Sequence, residues 1–520
     1  MENVERDIST SGVLPPPHPL LIPEILLQVG PYLSQATVYH CVLVCRTWNA
    51  CLTPHLFQRV SLPKRQLLNG NKRRSRPMIS ALQRNASHIR VLVCADNNVV
   101  LRQITPQCTG IETLVIGKIT LEVLPILQLC KDTLVQLEFT PAHHVQLYSS
   151  HSGSNERSLQ PKDINEVLKA ISNLSKLKHL VLTGLRVKDS AQLQLLFEYC
   201  QQLSSLELRH TSVYGAAPSS LMFNEMRTLS LVECPMPITD QLMLVMQCPF
   251  LDHLTWIRQW NTIPIESLGP LMEVGRRELK SLDISRGNRP DTDTAMLLES
   301  LPSLKTLIAC ETPFGPISLR AILDNNLKDQ IQVLHLMDCS AVTPMMVNQI
   351  MTSCPGLKSL SADRLLAIDV IDKDGLPWVC RDLEELRVVF VGPLLLSSYE
   401  TQHAVYSKIA TLRRLRLLNL GQNENRMWNS KSVLDLSLAN GLGQLAPLRE
   451  LEEFDFCEMN HRLGMDEFKF MLRYWRNLRT LHGRLNADKD REEFIRSFLR
   501  NERPGIRLKR SLKNRRGQSF

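Results

Sequence analysis

The chain has 520 residues, 43% of them hydrophobic and 22% charged, with a formal net charge of +9 and 14 cysteines. That length allows several ordinary domains or one long repeat array, and no uninterrupted apolar stretch approaches the ~18 residues of a membrane span. Disulfide scaffolds belong to short secreted chains, neither CxxC nor HExxH occurs, and the Cys41, Cys45, Cys51 group has no histidine at ligand spacing, so neither disulfides nor zinc are expected.

Residues 1–16 carry no apolar periodicity and end in a proline run. They read as a disordered lead-in, since a signal peptide needs a basic start and a sustained apolar core. A soluble intracellular protein, cytoplasmic and/or nuclear, is expected.

Residues 17–61 divide into three helical pieces by their punctuation. Pro23 at a first-turn position and Glu24 open a helix with Ile25, Val29 and Leu33 at i, i+4, i+8, flanked by Leu26 and Leu27. Ser34 can cap a second helix, with Val38, Cys41, Cys45 and Trp48 on one face and Val42, Leu43 and Val44 spreading the apolar surface. Thr53 and Pro54 repeat the cap-and-proline start for a short third element with Leu56, Phe57 and Val60. A segment of this size cannot bury three such faces alone, so it is expected to dock on something.

The segment resembles an F-box of the fungal type. Ile22-Pro23-Glu24-Ile25-Leu26, Tyr32-Leu33, Val44-Cys45-Arg46-Thr47-Trp48 and Leu56-Phe57 keep that family's order and spacing. Ile22 stands where Leu is usual, no residue separates Pro23 from Glu24, and Phe57 replaces Trp. The resemblance implies that Pro23, Ile25, Leu26, Leu33, Val44, Cys45, Trp48 and Phe57 contact the Skp-family adaptor of a cullin-RING ubiquitin ligase. The competing structural reading is an N-terminal cap on a solenoid, but a cap needs only an apolar inner face, whereas Trp48 and Phe57 beside Pro23 and Ile25 resemble interface anchors.

Charge is unevenly placed. Residues 59–76 hold seven basic residues and residues 506–520 hold six, neither with an acid, which leaves the remainder at −4. Residues 62–78 read as a basic linker and 501–520 as a basic tail, for which nuclear import is a hypothesis.

From residue 79 to 500 one phrase keeps returning: an apolar residue, two variable ones, an apolar residue, one variable, an apolar residue. Fifteen copies run from Ile89-Leu92-Cys94 to Leu478-Leu481-Gly483, through Leu203-Leu206-Leu208 and Leu357-Leu360-Ala362. Their mean spacing of about 28 residues is the leucine-rich-repeat period of strand plus helix. Between phrases, Leu193, Leu196, Phe197 and Cys200, and Met346, Ile350 and Cys354, fall on helical faces. Cysteines recur three residues before a phrase (Cys108, Cys200, Cys248, Cys354, Cys380) and after a strand (Cys234, Cys339), as small apolar residues of a crowded turn. This is similar to the cysteine-containing class of leucine-rich repeats, whose familiar setting is the F-box/leucine-rich-repeat protein. Residues 143–162 are polar and Ser-rich and read as a surface insertion.

The expected fold is therefore α/β: a small all-helical module, then a curved leucine-rich-repeat solenoid with a parallel inner sheet and outer helices. The variable phrase residues should line the open face of the sheet and bind a target, through His179, Glu207, Arg209, His253, Asp283, His335, Glu385, Arg387, Asn419, Glu453 and Asp455. Each alone reads equally well as a solvated polar residue. Trp256 occupies a core position, while Arg258 and Trp260 follow it in a loop.

No catalytic constellation, phosphate loop or nucleophile elbow is present, and no cofactor is expected. The reading reached from sequence is a non-catalytic substrate receptor of a Skp–cullin–F-box ubiquitin ligase, with an unidentified target protein on the repeats. A scaffold whose F-box-like segment caps the solenoid or acts outside a ligase is the alternative. Membrane partners are not expected, and the acidic body argues against nucleic acid.

Overall fold

The structure is a computed structural model that describes residues 22–62, 72–94, 98–117, 121–139, 161–187, 190–213, 220–257, 278–371, 376–392, 399–421, 432–457, 459, 463–486 and 488–509. The lead-in, most of the polar insertion, Arg258, Trp260 and the last eleven residues lie outside them. The chain divides into two compact units, Met1–Val181 and Leu182–Phe520.

The first unit opens with helix Pro23–Val29, a 3-10 turn Gly30–Tyr32, helix Gln35–Cys41 and helix Arg46–Phe57. Ser34 caps the second helix as expected, its hydroxyl accepting from Thr37 N. That helix ends sooner than its apolar run suggested. Val42–Val44 form a turn whose Val42 carbonyl accepts from Asn49 Nδ2 at 3.0 Å, and Cys45 is extended at φ −158 and ψ 172 before the next helix starts. Thr53 and Pro54 therefore begin no third element; Pro54 lies inside the helix Arg46–Phe57. A core of Val38, Val42 and Leu52, with Leu33, Cys41, Trp48 and Leu56 against it, holds the helices together.

Val60 is on a strand and not on a helix. Arg59–Leu62 pairs in parallel with Val91–Cys94, which pairs with Thr113–Ile116, which pairs with Gln136–Phe139. Gln35 Nε2 ties the helices to this strand by donating to Leu56 O and Arg59 O at 3.1 and 2.9 Å. The basic stretch read as a linker over 62–78 likewise contributes structure, since a helix runs over Lys72–Arg84.

All fifteen phrases carry a strand. In the second unit, parallel pairing runs without a break from Ser205–Arg209 to Arg507–Lys509, strand after strand in chain order. Arg507–Lys509, expected in a basic tail, is the last of these strands, against Thr480–His482. The pattern explains the architecture. Central leucines such as Leu206, Leu229, Leu307, Leu334 and Leu418 are fully buried between sheet and helices, each such side chain contributing about 1.5–3 kcal/mol by burial, while their strand neighbours point to the other face.

Within the second unit each repeat grips the next by polar atoms as well. The Asp291 carboxylate accepts from Gly315 N, Ile317 N and Ser318 N at 2.8, 2.8 and 3.1 Å, capping the following helix Pro316–Asp324, which has no capping side chain of its own. The recurring cysteines belong to this network. Cys234 Sγ donates to Leu208 O at 3.1 Å and Cys339 Sγ to Ala309 O at 2.9 Å, each one unit back, and Thr211 Oγ1 does the same to Leu182 O at 3.0 Å. A small side chain with one donor is what the position selects. Cys108, Cys200, Cys248, Cys354 and Cys380 are free thiols of zero exposure, and burial drives all five pKa values up, to about 12 for Cys108, Cys248, Cys354 and Cys380.

Candidate interaction surfaces

The F-box-like segment presents apolar residues its core does not use. Leu27, Val29, Tyr32, Tyr39, Leu43 and Val44 are exposed, Tyr32 at 88%, Leu43 at 67% and Val44 at 64%. The break at Val42–Cys45 causes the last two, because a turn turns Leu43 and Val44 outward where a continuing helix would have buried part of the run. Of the residues expected at the adaptor, Pro23 and Val44 are exposed and Ile25, Leu33, Cys45, Trp48 and Phe57 half-buried. Leu26 is buried at 3% and belongs to the interior, out of reach of a partner; Leu27 and Val29 take the outward positions beside it. Leu33 and Trp48 also pack on the segment's core, so each has one face inward.

On the repeats, the register sorts the expected target-binding residues into rows. Glu207, Ser230, Thr255, Asp283, Ile308, His335, Ser361, Arg387, Asn419, Asp455, His482 and Lys509 are successive Cα partners on the open face of the second unit. Six of the expected residues thus share one row. His253, Glu385 and Glu453 share the next row, Arg209 sits two residues further along its strand, and His179 is an exposed residue of the first unit.

Within these rows the groups pair locally. Glu207 and Arg209 form an ion pair at 2.5 Å, and Asn419 Nδ2 donates to Asp455 Oδ2 at 3.2 Å. Ser359 Oγ lies 3.0 Å from His335 Nε2 and 3.3 Å from Glu385 Oε2. Burial, with Arg387 adding to it, pushes the His335 pKa below its ordinary 6.5 against the opposing pull of Glu385 and Asp283. The carboxylate touches the hydroxyl and not the imidazole in this group, so it lacks the order of a nucleophilic triad, in which the base is oriented by the acid. What it offers is a fixed set of donors and acceptors.

A further row was not anticipated. His210, Glu233, Arg286, Glu311 and Asp338 have φ between 47 and 62, the left-handed region, at the equivalent place in their repeats, where Gly184 also has φ 70. There the main-chain N–H of His210, Glu233, Arg286 and Glu311 donates at 2.8 Å to a carbonyl of the next repeat. That conformation costs an L-residue about 1–2 kcal/mol. Side chains of the row link along the array, His210 Nδ1 to Glu233 Oε2 at 3.0 Å and Arg286 Nε to Glu311 Oε1 at 3.3 Å between adjacent repeats, and Glu233 Oε1 to Arg286 Nη1 at 3.1 Å across the repeat of Leu254. Gly184 was the one visible sign in the sequence.

Among the described residues no group of His, Cys, Asp and Glu could hold a metal ion, and no helix is long and apolar enough to cross a membrane. Trp256 is buried as expected, its indole donating to Gln241 Oε1 at 2.6 Å.

A family model described as F-box-like matches residues 23–63. No curated protein matches the chain. Among solved structures, the chain is similar to a leucine-rich-repeat protein of Leptospira interrogans, with 19% identity over 82% of this chain and 97% of that one, at a TM-score of 0.41. It is also similar to an internalin of Listeria monocytogenes, with 17% identity over 60% and 76% at TM-score 0.36, and to TLR13 in a complex with ssRNA13, with 14% identity over 82% and 57% at TM-score 0.43. The strand register and the buried phrase residues define the repeats: the chain joins an F-box-like segment at residues 23–63 to a leucine-rich-repeat array, the plan of an F-box/leucine-rich-repeat protein.

Proposed function

We propose that the chain is the substrate-recognition subunit of a Skp–cullin–F-box ubiquitin ligase. The F-box-like segment docks on a Skp-type adaptor, the repeats hold a target protein, and the cullin-bound machinery supplies the transfer chemistry. The contribution of this chain is proximity.

The observation that carries the reading is the exposed apolar surface of the segment, with Tyr32, Tyr39, Leu43 and Val44 outside a core made by Val38, Val42 and Leu52. So many large apolar side chains left exposed on one small module mark it as an interaction site. Pro23, Ile25, Leu33, Cys45, Trp48 and Phe57 have exposed or half-exposed surface to add to it; Leu26 does not. The pairing of Arg59–Leu62 with Val91–Cys94 supports the second reading too, in which the segment closes the array. The two roles use different atoms and coexist.

The test is a pull-down of purified Skp-type adaptor by the full chain and by a Leu43→Glu, Val44→Glu pair. Both side chains are more than half exposed, so the melting curve should be unchanged while adaptor binding falls at least tenfold. A wild-type chain that does not retain the adaptor, or a pair that retains it equally, overturns the docking role. Ubiquitin transfer to the chain itself in a reconstituted cullin-RING mixture separates a ligase subunit from a scaffold.

A further inference from the structure

Ile317, Met345, Ile368 and Tyr399 are 48%, 69%, 47% and 56% exposed. Single exposed apolar residues need no explanation, but these four recur at one structural position. Each is the first or second residue of its helix, in Pro316–Asp324, Pro344–Ser353, Ala367–Ile371 and Tyr399–Ile409, and these helices are neighbours in succession. The core is not short of them, since Leu319, Met346, Val347, Val370 and Val405 already fill the inner faces. Steps of about 10 Å between packed helices make the stripe ~30 Å long, the length of a helix of about 20 residues.

Charge on the same side says what the stripe fits. The stretches 309–319, 336–347 and 362–370, which lead into the first turns of three of these helices, and 399–402, the first turn of the fourth, contain Glu311, Asp338, Asp363, Asp369 and Glu400 against one base of their own, Arg364, with Arg286 pairing to Glu311 from an earlier repeat. Glu311, Asp338 and Glu400 are exposed. Asp338 N donates to both carboxylate oxygens of Asp363 at 2.9 and 3.1 Å, which sets two acidic residues side by side in adjacent units.

We propose that this edge of the array is a docking site for a basic amphipathic helix of the target protein, its apolar face on Ile317, Met345, Ile368 and Tyr399 and its Lys or Arg residues toward Glu311, Asp338 and Asp363. The proposal rests on the array being the target-binding part of the chain and names the class of segment it takes. Binding of amphipathic helices through spaced apolar anchors is a recurrent recognition mode, and rim charges set its rate and salt dependence.

The experiment uses the full chain with its adaptor and a fluorescein-labelled 18-residue leucine–lysine peptide of helical period, read by fluorescence anisotropy at low and high salt. A leucine–glutamate peptide of the same period and a leucine–lysine peptide of scrambled period are the comparisons. The periodic basic peptide should bind at least tenfold more tightly than either. Ile317→Ser, Met345→Ser and Ile368→Ser together should cost tenfold, and Glu311→Gln, Asp338→Asn and Asp363→Asn together should cost severalfold and flatten the salt dependence. Asn at 363 keeps an acceptor for Asp338 N. Met345→Lys alone, at the most exposed of the four positions, should weaken binding without touching the fold. Equal binding of the acidic or scrambled peptide, no binding of the basic one, or wild-type affinity in the Met345→Lys variant overturns the proposal. Adaptor retention on the same sample keeps the readings apart: its loss counts against the ligase role, and loss of peptide binding with the adaptor still held counts against this edge.

Discussion

Replacing Asp291 by alanine should loosen one repeat and leave distant ones intact. Its carboxylate holds three main-chain N–H groups of the next unit, two of them on the buried residues Gly315 and Ser318, and its own carbonyl accepts from Ser318 Oγ at 3.0 Å. Losing a helix cap costs about 0.5–2 kcal/mol, and a buried donor left without an acceptor about 1–3 kcal/mol. The two overlap, so about 2–4 kcal/mol is expected for Asp291→Ala. Asp291→Asn keeps one acceptor oxygen and should cost about half of that. In a chain of this length a single unfolding midpoint is poorly defined, and neighbouring units of a repeat array couple only locally, so the assay is native-state hydrogen exchange by mass spectrometry. Peptides covering Pro316–Asp324 should exchange on the order of a hundredfold faster in Asp291→Ala, and those covering Met465–Tyr474 at the wild-type rate. Gly315→Ala offers a second approach to the same contact, since a Cβ there would lie 2.7 Å from Asp291 Oδ2; its effect should be less than additive with Asp291→Ala. Acceleration under threefold in Pro316–Asp324, or equal acceleration in both helices, would refute the inter-unit cap.

Thiol chemistry should follow burial. With pKa values near 12, Cys108, Cys248, Cys354 and Cys380 carry little thiolate at pH 8 and should resist iodoacetamide until urea is added, while half-exposed Cys41, Cys45 and Cys51 label in the native chain and Cys45 is protected by bound adaptor; native labelling of the buried set contradicts the core placement. For His335, a folded pKa lowered by burial means that the unfolded chain takes up its proton first. Its stabilising share is complete above pH 6.5 and is lost as pH falls toward the folded pKa. His335→Gln should therefore flatten the decline, between pH 7.5 and 5, of hydrogen-exchange protection in peptides covering Val333–His335 once intrinsic exchange rates are divided out, and a variant with the wild-type slope shows that the group is not responsible.

The repeat phrases were legible because alternation of buried and half-exposed residues is a strand signal that fifteen copies make unmistakable. Two of the strands that escaped, RVSL at 59–62 and RLK at 507–509, carry basic residues and only part of the phrase; they are edge pieces of their sequence segments, recognised through partners Val91–Cys94 and Thr480–His482. In the F-box-like segment the residues were readable and the break was not. VLV at 42–44 continues an apolar run, and the feature that ends the helix, an Asn49 side chain on the Val42 carbonyl, lies seven residues away. Leu26 shows the same limit from the other side: period places apolar residues on a helix but does not say which of Ile25, Leu26 and Leu27 faces in. The left-handed row was hidden because His, Glu, Arg and Asp carry no backbone signature. Only Gly184 advertised the conformation.

One residue, Gln58, separates the helix Arg46–Phe57 from the strand Arg59–Leu62. Gene fusions and truncations that treat residues 17–61 as a detachable cassette would cut through that strand and strip Val91–Cys94 of its partner on one side. The newly bare strand would present a row of unsatisfied main-chain groups, an invitation to pair with another molecule. The portable piece must keep Arg59–Leu62 with whatever repeats follow, so exchange of recognition arrays by recombination at the predicted boundary is disfavoured by hydrogen bonding alone. A workable junction lies beyond residue 62.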